Sequence, residues 1–460
     1  MLPDVFCQRM RQQLPDWSAF EQAFTRPAPS AVRRNPFKTS PHTLAEMPWS
    51  RTGHYLSSRP RFILDPRFHS GAYYVQDPSC MILEAVLQAL KINPQRILDA
   101  CGAPGGKSTH LASLFPESLL VSNEVIQSRL PILAENLSKW GHSHAIVTQQ
   151  DPRILGRLAA YFDLIVVDAP CSGEGLFRKD PEAQQNWSEA HVNQCARRQQ
   201  RILEDLWPAL APGGTLVYAT CTYAPAENEQ QLQHLLALGA EALSWQLPEH
   251  WGLRQWSVQG STCVQCLPHQ FEGEGFFITA VKKTTCAPAI RRSSPKARLE
   301  SPKNTAAYRH WLQGDWCFEK HQEEIWAWPA RWQTDLGWLQ TQLNPKHPPL
   351  RLGKYKGQTL QPEIDLSRSI YCAEDYWPRQ ELTLSEAIAY LQGEALPREA
   401  PGGFVRCFFE DWPLGWAKAA PGRLNNLYPT GQRIRIRPDK ETLAEAWQTL
   451  QNVLPLAPSK

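Results

Sequence analysis

The chain has 460 residues, of which 42% are hydrophobic and 20% charged, so we expect two to four domains with ordinary buried cores. Its formal net charge of +3 excludes a protein that is basic over its whole surface. Any contact with a nucleic acid would therefore come from local basic patches.

The N-terminus and the cysteines predict a cytoplasmic protein. "MLPDVFCQRMRQQLPDW" lacks the apolar run and cleavage site of a signal peptide, and no apolar stretch reaches the roughly 18 residues of a membrane span. The twelve cysteines follow no regular framework, so we expect thiols. Cys263 and Cys266 form a C-x-x-C without a second pair at zinc-site spacing, which predicts incidental loop cysteines and no metal.

The first 283 residues divide into two regions with different sequence patterns. Residues 1–90 mix short helical patterns with segments such as "PSAVRRNPFKTSP", which predicts a small N-terminal α/β domain, whereas apolar strands alternate with amphipathic helices over 91–283. The predicted strands are "RILDA" (96–100), "LLVSNEV" (119–125), "HAIVTQQD" (144–151), "FDLIVVDAP" (162–170), "TLVYATCTY" (215–223) and "GFFITAVKK" (275–283). The predicted helices are "KSTHLASLF" (107–115), "SRLPILAENLSKWG" (128–141) and "HVNQCARRQQRILEDLWPAL" (191–210), the last ended by "APGG". Such alternation predicts a doubly wound α/β sheet.

The last third of the chain begins with a basic, proline-containing linker at 284–303. Two C-terminal domains are predicted beyond it, at 304–385 and 386–460, in a Trp- and Pro-rich sequence. "TLSEAIAYLQG" (383–393) has helical spacing. "GQRIRIRP" (431–438) alternates arginine with apolar residues, which predicts a strand with three arginines on one face, at 433, 435 and 437.

A glycine-rich turn follows the first predicted strand of the core. In "DACGAPGGKSTHLA" (99–112), Gly102, Gly105 and Gly106 let the backbone approach a ligand, and the helix that follows offers free N–H groups. The segment matches neither a Walker A motif nor G-x-G-x-x-G. Glu124 ends the next strand, 22 residues after Gly102, at the right reach for the hydroxyls of a ribose.

Acidic residues end four consecutive strands of the predicted sheet: Asp99 the first, Glu124 the second, Asp151 the third and Asp168 the fourth. They are expected to meet at the carboxyl edge of the sheet. A site with carboxylates and no phosphate motif suits an adenosine ligand without a pyrophosphate, which describes S-adenosylmethionine. The alternative is that each carboxylate caps the helix after it.

Several specific motifs carry a family resemblance. "DACGAPGGK", "DAPCSGEG" with "RKDP" after it, and "YATCTYAPAENE" resemble the RNA 5-methylcytosine methyltransferases of the Nop2/NSUN/Fmu group, and within it the bacterial ribosomal RNA small-subunit methyltransferase F type. "AVRRNPFK", "YYVQDPSCMILEAVL" and "PHQFEGEGFF" extend the match over about 30–283. "LGWAKAAPGRLNNLYP" (414–429) is similar to the PUA-like end of that subfamily. "QQDPR" departs from the family, which usually has a small residue after the aspartate, at a point that concerns only the adenine pocket.

The resemblance implies a Rossmann-like class I methyltransferase core at 91–283, an RNA-binding domain at 1–90 and a PUA-like RNA-binding domain at 386–460. It implies an S-adenosylmethionine-dependent RNA cytosine-5 methyltransferase, acting as a monomer on 16S ribosomal RNA or the small ribosomal subunit, with tRNA as the alternative substrate. The cofactor site would consist of Cys101, Gly102, Ala103, Pro104, Gly105, Gly106, Lys107, Glu124, Arg129, Asp151, Asp168 and Pro170.

The proposed reaction explains why such an enzyme needs thiols. Carbon 5 of cytosine takes a methyl group only after a thiolate has added to C6, and a donor at N3 limits the charge on the ring. The residues alone leave two candidates for the attacking thiol, Cys171 and Cys221. A Pro-Cys after the fourth strand, as in DNA cytosine-5 methyltransferases, favours Cys171. The resemblance implies that Cys221 attacks and that Cys171 assists product release. Asp168 is then expected at N3, and Lys107 is expected to order the loop and the catalytic face.

Two other classes fit the sequence less well. Adenine and amino methyltransferases favour an Asp/Asn-Pro-Pro-aromatic loop, where this chain has Asp168-Ala169-Pro170-Cys171. A non-catalytic RNA-binding scaffold would not need both cysteines. For RNA contacts we predict phosphate binding by "VRRNPFK" and the 284–303 linker and base stacking by the Trp-rich end, while Lys179 suits a cofactor carboxylate or an RNA phosphate equally.

Overall fold

A computed structural model describes residues 2–40, 44–284 and 305–459 of the chain. Its N-terminal part contains a three-stranded antiparallel sheet in the order β2-β1-β3 and four helices. The elements are α1 (Asp4–Gln13), α2 (Trp17–Ala23), β1 (Ser30–Arg34), β2 (Gly53–Leu56), α3 (Pro66–Ser70), β3 (Tyr73–Val75) and α4 (Ile82–Ala89). The small N-terminal α/β domain is thus confirmed.

A nine-stranded mixed sheet forms the centre of the molecule, with the main order β10-β11-β12-β8-β7-β4-β5-β6 and β9 paired to β12. Its strands are β4 (Arg96–Asp99), β5 (Leu119–Asn123), β6 (Ala145–Thr148), β7 (Phe162–Asp168), β8 (Leu210–Thr220), β9 (Ala240–Ala242), β10 (Arg254–Val258), β11 (Ser261–Cys266) and β12 (Phe276–Lys283). The strands β4 to β8 are mutually parallel, and β12 joins β8 antiparallel. This order, which reverses beside β4, confirms the doubly wound Rossmann-like core.

Helices cover both faces of this sheet, which is why its central strands are buried throughout. The helices are α5 (Gly106–Leu114), α6 (Leu130–Trp140), α7 (Pro152–Gly156), α8 (Pro181–Asn186), α9 (Glu189–Leu206) and α10 (Glu229–Ala237). Along β4 the side chains alternate between two apolar clusters, since Ile97 packs in one and Leu98 in the other. The carboxyl ends of the parallel strands remain free to form a site.

The boundary between α9 and β8 differs from the prediction. The helix was expected to reach Leu210, but it ends at Leu206, and Pro208 follows within a short 3₁₀ turn. The "APGG" segment, predicted as a break, belongs to β8, which therefore starts at Leu210 rather than at Thr215. A proline cannot continue the helix, whereas a strand tolerates one near its start.

The C-terminal part contains two four-stranded sheets, β13-β14-β15-β16 and β17-β18-β19-β20. Its elements are α11 (Ala306–Arg309), β13 (Trp316–His321), β14 (Glu324–Pro329), α12 (Gln333–Leu343), β15 (Leu350–Lys356), β16 (Thr359–Pro362), α13 (Ile364–Arg368), β17 (Arg379–Glu381), α14 (Leu384–Leu391), β18 (Gly403–Phe409), β19 (Trp412–Ala420), β20 (Arg423–Asn426) and α15 (Lys440–Val453). The helix predicted in "TLSEAIAYLQG" is confirmed, and Thr383 and Glu386 close its N-terminus as a capping box. The predicted boundary at 385/386 falls inside α14 and would separate β17 from β18, with which it pairs.

One C-terminal prediction is wrong and another falls outside the described residues. "GQRIRIRP" is not a strand, because a short 3₁₀ turn ends at Gln432 and irregular backbone continues from there to the start of α15. Arg433 packs against Gly393, whereas Arg435 and Arg437 are exposed, so the three arginines do not share one strand face. The basic linker predicted at 284–303 lies almost entirely outside the described residues.

The two ends of the chain pack together. Apolar side chains of β1 and α3 share one cluster with those of α14, β18 and α15. The fully buried guanidinium of Arg67 pairs with Asp65 and also donates to the carbonyl oxygen of Leu454 at 3.0 Å. A β-bridge joins Thr39 to Pro458. The N-terminal domain and the C-terminal sheet therefore share a core.

The C-x-x-C pair lies in strand β11 rather than in a loop, which corrects the prediction. Cys263 packs in the apolar cluster on one face of the sheet and Cys266 in the cluster on the other. Side chains three residues apart on a strand point to opposite faces, so these two thiols do not converge. Within the described ranges no group of three or more metal-ligating side chains occurs, and no helix is long and apolar enough to cross a membrane.

Four buried histidines make the fold sensitive to acid. Burial lowers the pKa of His69 and His142 to about 3 and that of His110 and His144 to about 4. Because these folded-state values lie below the unfolded value of about 6.5, the stabilisation is complete above pH 6.5 and is lost as the pH falls towards 4. At pH 5 each histidine is expected to cost about 2 kcal/mol, and thermal denaturation between pH 7.5 and 5 measures the loss.

The matched variants are His142→Gln and His310→Gln, since His310 is exposed. The first should flatten the dependence of Tm on pH, and the second should leave it unchanged. Equal slopes for all three proteins would contradict this explanation.

Candidate active site

The glycine-rich turn lies between β4 and α5 and is held by backbone contacts from β5 and α6. The amide of Gly102 donates to the carbonyl oxygen of Asn123 at 2.7 Å, and a Cβ on Gly102 would lie 2.4 Å from Ser122 Oγ. Gly105 has a φ of +117°, a conformation that favours glycine. Arg129 donates to the carbonyl oxygen of Ala103 at 2.6 Å, and Asn136 donates to that of Pro104 at 2.8 Å. The turn is thus fixed on both sides.

Buried carboxylates surround the turn. Asp99, at the end of β4, is fully buried; its Oδ2 accepts from Ser108 at 2.6 Å, while its Oδ1 has no hydrogen-bond partner among the described residues. Burial raises the pKa of Asp99 to about 6. Glu124 is also buried, accepts from the amide of Ile126 and lies 3.4 Å from Arg129. The unsatisfied oxygen of Asp99 makes the turn a place where a donor or a cation would be stabilised.

Cys101 lies at the centre of this group. Burial, followed by the charges of Asp99 and Asp168, raises the pKa of its thiol above the usual range, so the side chain is a neutral part of the wall. Glu124 raises the same pKa further, which places all three carboxylates around one side chain. The structure therefore brings together the acidic residues that end β4, β5 and β7.

Asp151 differs from the other acidic residues. Its side chain is half-exposed, accepts from the amide of Arg153 at the first turn of α7, and pairs with the Arg153 guanidinium at 3.0 Å. Helix capping, the alternative for all four residues, thus describes Asp151. Helix capping does not account for the positions of Asp99, Glu124 and Asp168.

A buried ion pair connects the turn to the cysteine loop. Lys107, in the first turn of α5, is 7% exposed, and its Nζ lies 2.7 Å from Oδ2 of Asp168 at the end of β7. Burial lowers the pKa of Lys107, but the charge of Asp168 outweighs it and raises the pKa above its ordinary value. The ammonium also lies 5.0 Å from the ring centre of Phe276. Lys107 is therefore a permanent cation that orients one oxygen of Asp168.

The two candidate thiols face each other across the ends of adjacent parallel strands. Cys171 follows β7 and Cys221 follows β8, and their Sγ atoms are 3.2 Å apart. The contact with Cys221, followed by burial, raises the pKa of the Cys171 thiol well above its usual value. The contact is symmetric, since either sulfur could donate to the other, and it places both thiols at one point of the site.

Glu227 connects the two loops that carry Cys171 and Cys221. Its buried carboxylate accepts from the Ser172 amide at 3.0 Å and from the Ser172 hydroxyl at 2.5 Å. The same hydroxyl lies 2.9 Å from that of Thr222. Gln199 donates to Glu227 at 2.9 Å and to the carbonyl oxygen of Pro170 at 3.0 Å. Glu227 belongs to "YATCTYAPAENE", where no local sequence pattern distinguishes it.

Lys179, which suited two ligands equally in the sequence, is paired within the protein. Its Nζ forms an ion pair with Asp77 and lies 3.6 Å from Glu274. Arg178 is buried and pairs with Glu274 at 3.1 Å. These contacts join the cysteine loop to the N-terminal domain and to the segment before β12. Lys179 therefore links the cysteine loop to the N-terminal domain.

Two of the three cations in "VRRNPFK", for which phosphate contacts at the surface were expected, are buried. Arg33 is fully buried: it donates to Gln76 at 2.8 Å, to the carbonyl oxygen of Gly106 at 3.2 Å, and stacks on Trp140 at 4.4 Å. Lys38 is buried and donates to two backbone carbonyls, those of Ser70 and Lys139. Arg33 thus supports the start of α5 from the N-terminal domain.

The doubly wound sheet, with its glycine turn, buried carboxylates and paired thiols at the carboxyl edge, defines a Rossmann-like methyltransferase. Three family models match the chain: "16S rRNA methyltransferase RsmB/F" over residues 87–282, "N-terminal domain of 16S rRNA methyltransferase RsmF" over 2–78 and "Methyltransferase RsmF PUA domain" over 378–434. The chain belongs to the ribosomal RNA small subunit methyltransferase F family.

Named relatives agree with this family, and a solved structure shares the fold of the core. The ribosomal RNA small subunit methyltransferases F of Escherichia coli O9:H4 (strain HS) and O157:H7 (strain EC4115 / EHEC) are each 31% identical to this chain, and the alignments cover 93% of it and 95% of each relative. The crystal structure of PH0851 superposes with a TM-score of 0.55 at 22% identity, over 61% of this chain and 66% of that one. The last likeness concerns the fold alone.

Proposed function

We propose that this protein transfers a methyl group from S-adenosylmethionine to carbon 5 of a cytosine in 16S ribosomal RNA, through a covalent bond between Cys221 and carbon 6 of the base. The observation that carries the proposal is the pair of thiols 3.2 Å apart, at strand ends next to the Lys107–Asp168 ion pair. Amino methyltransferases need no such pair. We expect the protein to act in the cytoplasm as a monomer.

The residues present fit S-adenosylmethionine. The unsatisfied, buried oxygen of Asp99 and the carboxylate of Glu124 suit a cationic ligand with ribose hydroxyls. The backbone from Cys101 to Gly106, with Arg129 and Pro170 beside it, would hold the amino-acid part, and Asp151 would lie towards the adenine. When bound, the cofactor supplies an electrophilic methyl group.

Arg33 is expected to act as a positioning residue for this turn. Arg33→Met removes the donors to Gly106 and Thr109, so the first turn of α5 should loosen. Losing one or two such hydrogen bonds should weaken S-adenosylmethionine binding by roughly tenfold, as measured by calorimetry. Arg34→Met is the matched control, since Arg34 donates to Thr39 and does not contact α5. Equal affinities of the two variants would contradict the role of Arg33.

In the first half of the reaction, the Cys221 thiolate adds to C6 and the electron pair of the C5–C6 double bond becomes available at C5. Asp168, oriented by Lys107, contacts N3 as a carboxylic acid, and its proton limits the charge on the ring. Carbon 5 would then form its bond to the methyl group as the bond between that methyl group and the cofactor sulfur breaks, leaving the cofactor as the neutral thioether. A cytosine inside a helix hides C6, so the base has to be unpaired or flipped out.

In the second half, the C5 proton passes to a base, the C5–C6 double bond forms again, and the bond between C6 and the Cys221 sulfur breaks, so that Cys221 leaves as the thiolate. We assign the role of this base to the Cys171 thiolate, because its sulfur lies 3.2 Å from that of Cys221. Glu227 holds the two cysteine loops together, because it accepts from the Ser172 hydroxyl, which also contacts the hydroxyl of Thr222.

The test is methyl transfer from cofactor labelled in the methyl group. Unmodified 16S ribosomal RNA, the small subunit and tRNA would each be incubated with the full-length protein, and digested nucleosides analysed by mass spectrometry. We expect labelled 5-methylcytidine from ribosomal RNA or from the subunit. Label in another nucleoside would overturn the chemistry, and label in tRNA alone would overturn the substrate.

A further inference from the structure

Three cationic side chains from distant parts of the chain line one pocket outside the active site. The pocket measures about 240 Å³ and lies where the segment after β1 meets the end of α13 and strand β18. Its walls include Lys38, Arg368 and Arg406, together with the ring of Phe37 and the hydroxyl-bearing Ser369. Since a water molecule occupies about 30 Å³, the pocket has room for a phosphate group and part of a ribose.

The three cations are buried, and Glu374 in the same wall is the carboxylate whose charge acts on Arg406. Lys38, Arg368 and Arg406 are at most 7% exposed, and none forms an ion pair with a carboxylate of the described residues. Lys38 donates to two backbone carbonyls, and Arg406 donates to that of Ser367. Such neutral acceptors satisfy hydrogen bonds but do not cancel charge, and burying uncompensated charge costs several kcal/mol.

The three charges act on one another and leave one donor unused. Burial, then the charges of Arg368 and Arg406, lowers the pKa of Lys38 well below its ordinary value. Arg368 donates to Gln432 and to the hydroxyl of Tyr428, while its buried Nε has no partner in the described ranges. Of the acidic residues in the wall, Asp411 pairs with Arg379, and only Glu374 offers an unpaired negative charge. The pocket therefore has an excess of positive charge.

We propose that this pocket binds a backbone phosphate of the RNA substrate, at the junction of the N-terminal domain and the C-terminal sheet. An anion with several acceptor oxygens would offset the buried charges and would accept from Arg368 and Arg406. The inference rests on the proposed function only in taking RNA as the substrate. It replaces the phosphate contact predicted at the surface of "VRRNPFK" by an internal one that uses Lys38.

The experiment measures binding of purified 16S ribosomal RNA by filter retention at several salt concentrations. Arg406→Gln should lower the slope of log affinity against log salt by about 1, since one phosphate contact is lost. Tm should stay equal or rise, because an uncompensated buried charge has been removed. Lys38→Gln should lower the slope in the same way if the first variant does not fold. Arg423→Gln, an exposed arginine in β20 outside the pocket, is the matched control.

A second arm uses inorganic phosphate against chloride at equal ionic strength. Phosphate should raise the Tm of the unchanged protein and should raise that of Arg406→Gln less. An unchanged slope would overturn the proposal, as would an equal change in Arg423→Gln or a loss of Tm without a change in slope. Stabilisation by phosphate with an unchanged RNA slope would show a site for the free ion and overturn the RNA assignment.

All binding measurements would use protein that also carries Cys221→Ser, so that no covalent complex contributes. Binding does not require methyl transfer. Failure of the proposed chemistry would therefore leave this test intact.

Discussion

Replacing Cys221 by serine is expected to reduce methyl transfer by roughly 10⁴-fold or more and to abolish covalent capture of RNA, because a serine hydroxyl does not add to C6. Replacing Cys171 by serine is expected to leave addition and methylation possible and to slow release. A protein–RNA complex that resists denaturant should then accumulate on gels. Labelled-methyl transfer and denaturing electrophoresis, run side by side, measure both effects.

Cys317→Ser provides the matched control, since Cys317 is a partly buried thiol in β13, far from the strand ends that carry the pair. Its activity should equal that of the unchanged protein. The opposite pattern, with capture lost in Cys171→Ser and a trapped complex in Cys221→Ser, would reverse the assignment of the two thiols.

Replacing Asp168 by asparagine is expected to lower kcat by roughly 10²- to 10⁴-fold, because the carboxyl that contacts N3 is lost. The change also leaves the buried Lys107 without its partner. Breaking a fully buried pair costs about 3–5 kcal/mol, and since the Asp168 side chain is 34% exposed we expect about 2 kcal/mol here. Single-turnover rates and thermal denaturation measure the two losses separately.

The pH dependence of that stability loss has a definite sign. In the unchanged protein the pKa of Lys107 is raised, so its contribution is present below the unfolded value of about 10.4 and is lost only as the pH rises through the folded value. In Asp168→Asn the strongest raising charge is gone, so burial, the largest influence, outweighs the charges of Cys80 and Asp99 and lowers the folded pKa below the unfolded one. The variant should therefore lose stability as the pH falls, and the Tm gap should be wider at pH 7 than at pH 9.5.

The double variant Lys107→Met/Asp168→Asn separates structure from chemistry. It removes both charges, so most of the Tm should return while kcat stays low. If the activity returned with the stability, Asp168 would act only by holding the fold together.

The core could be predicted from the sequence because its signals are local. Each residue of β5 is buried on a parallel sheet, and the strand opens with three apolar residues, Leu119 to Val121. The glycine turn and the two cysteines follow such runs directly, and the ends of parallel strands share one edge. Their meeting in space thus follows from the order of strands alone.

The remaining parts depend on contacts that local patterns do not encode. Glu227 reaches Ser172 across 55 residues, and Arg33 reaches Gly106 across 73. The basic segment around Arg33 has the composition of an exposed patch, yet it is buried because α5 and Trp140 cover it. The edge strand β10 is half-exposed and short, so it lacks the apolar run that revealed the central strands.

The shared core of the two chain ends has a practical and an evolutionary consequence. Removing the C-terminal sheet and α15 would take the acceptor at Leu454 from the buried Arg67 and uncover the apolar surface of β1 and α3. The terminal domain is thus not a detachable module that a shortened enzyme could lose and keep its remaining architecture. Among related proteins, a substitution on one side of this shared core should therefore be accompanied by a substitution on the other side.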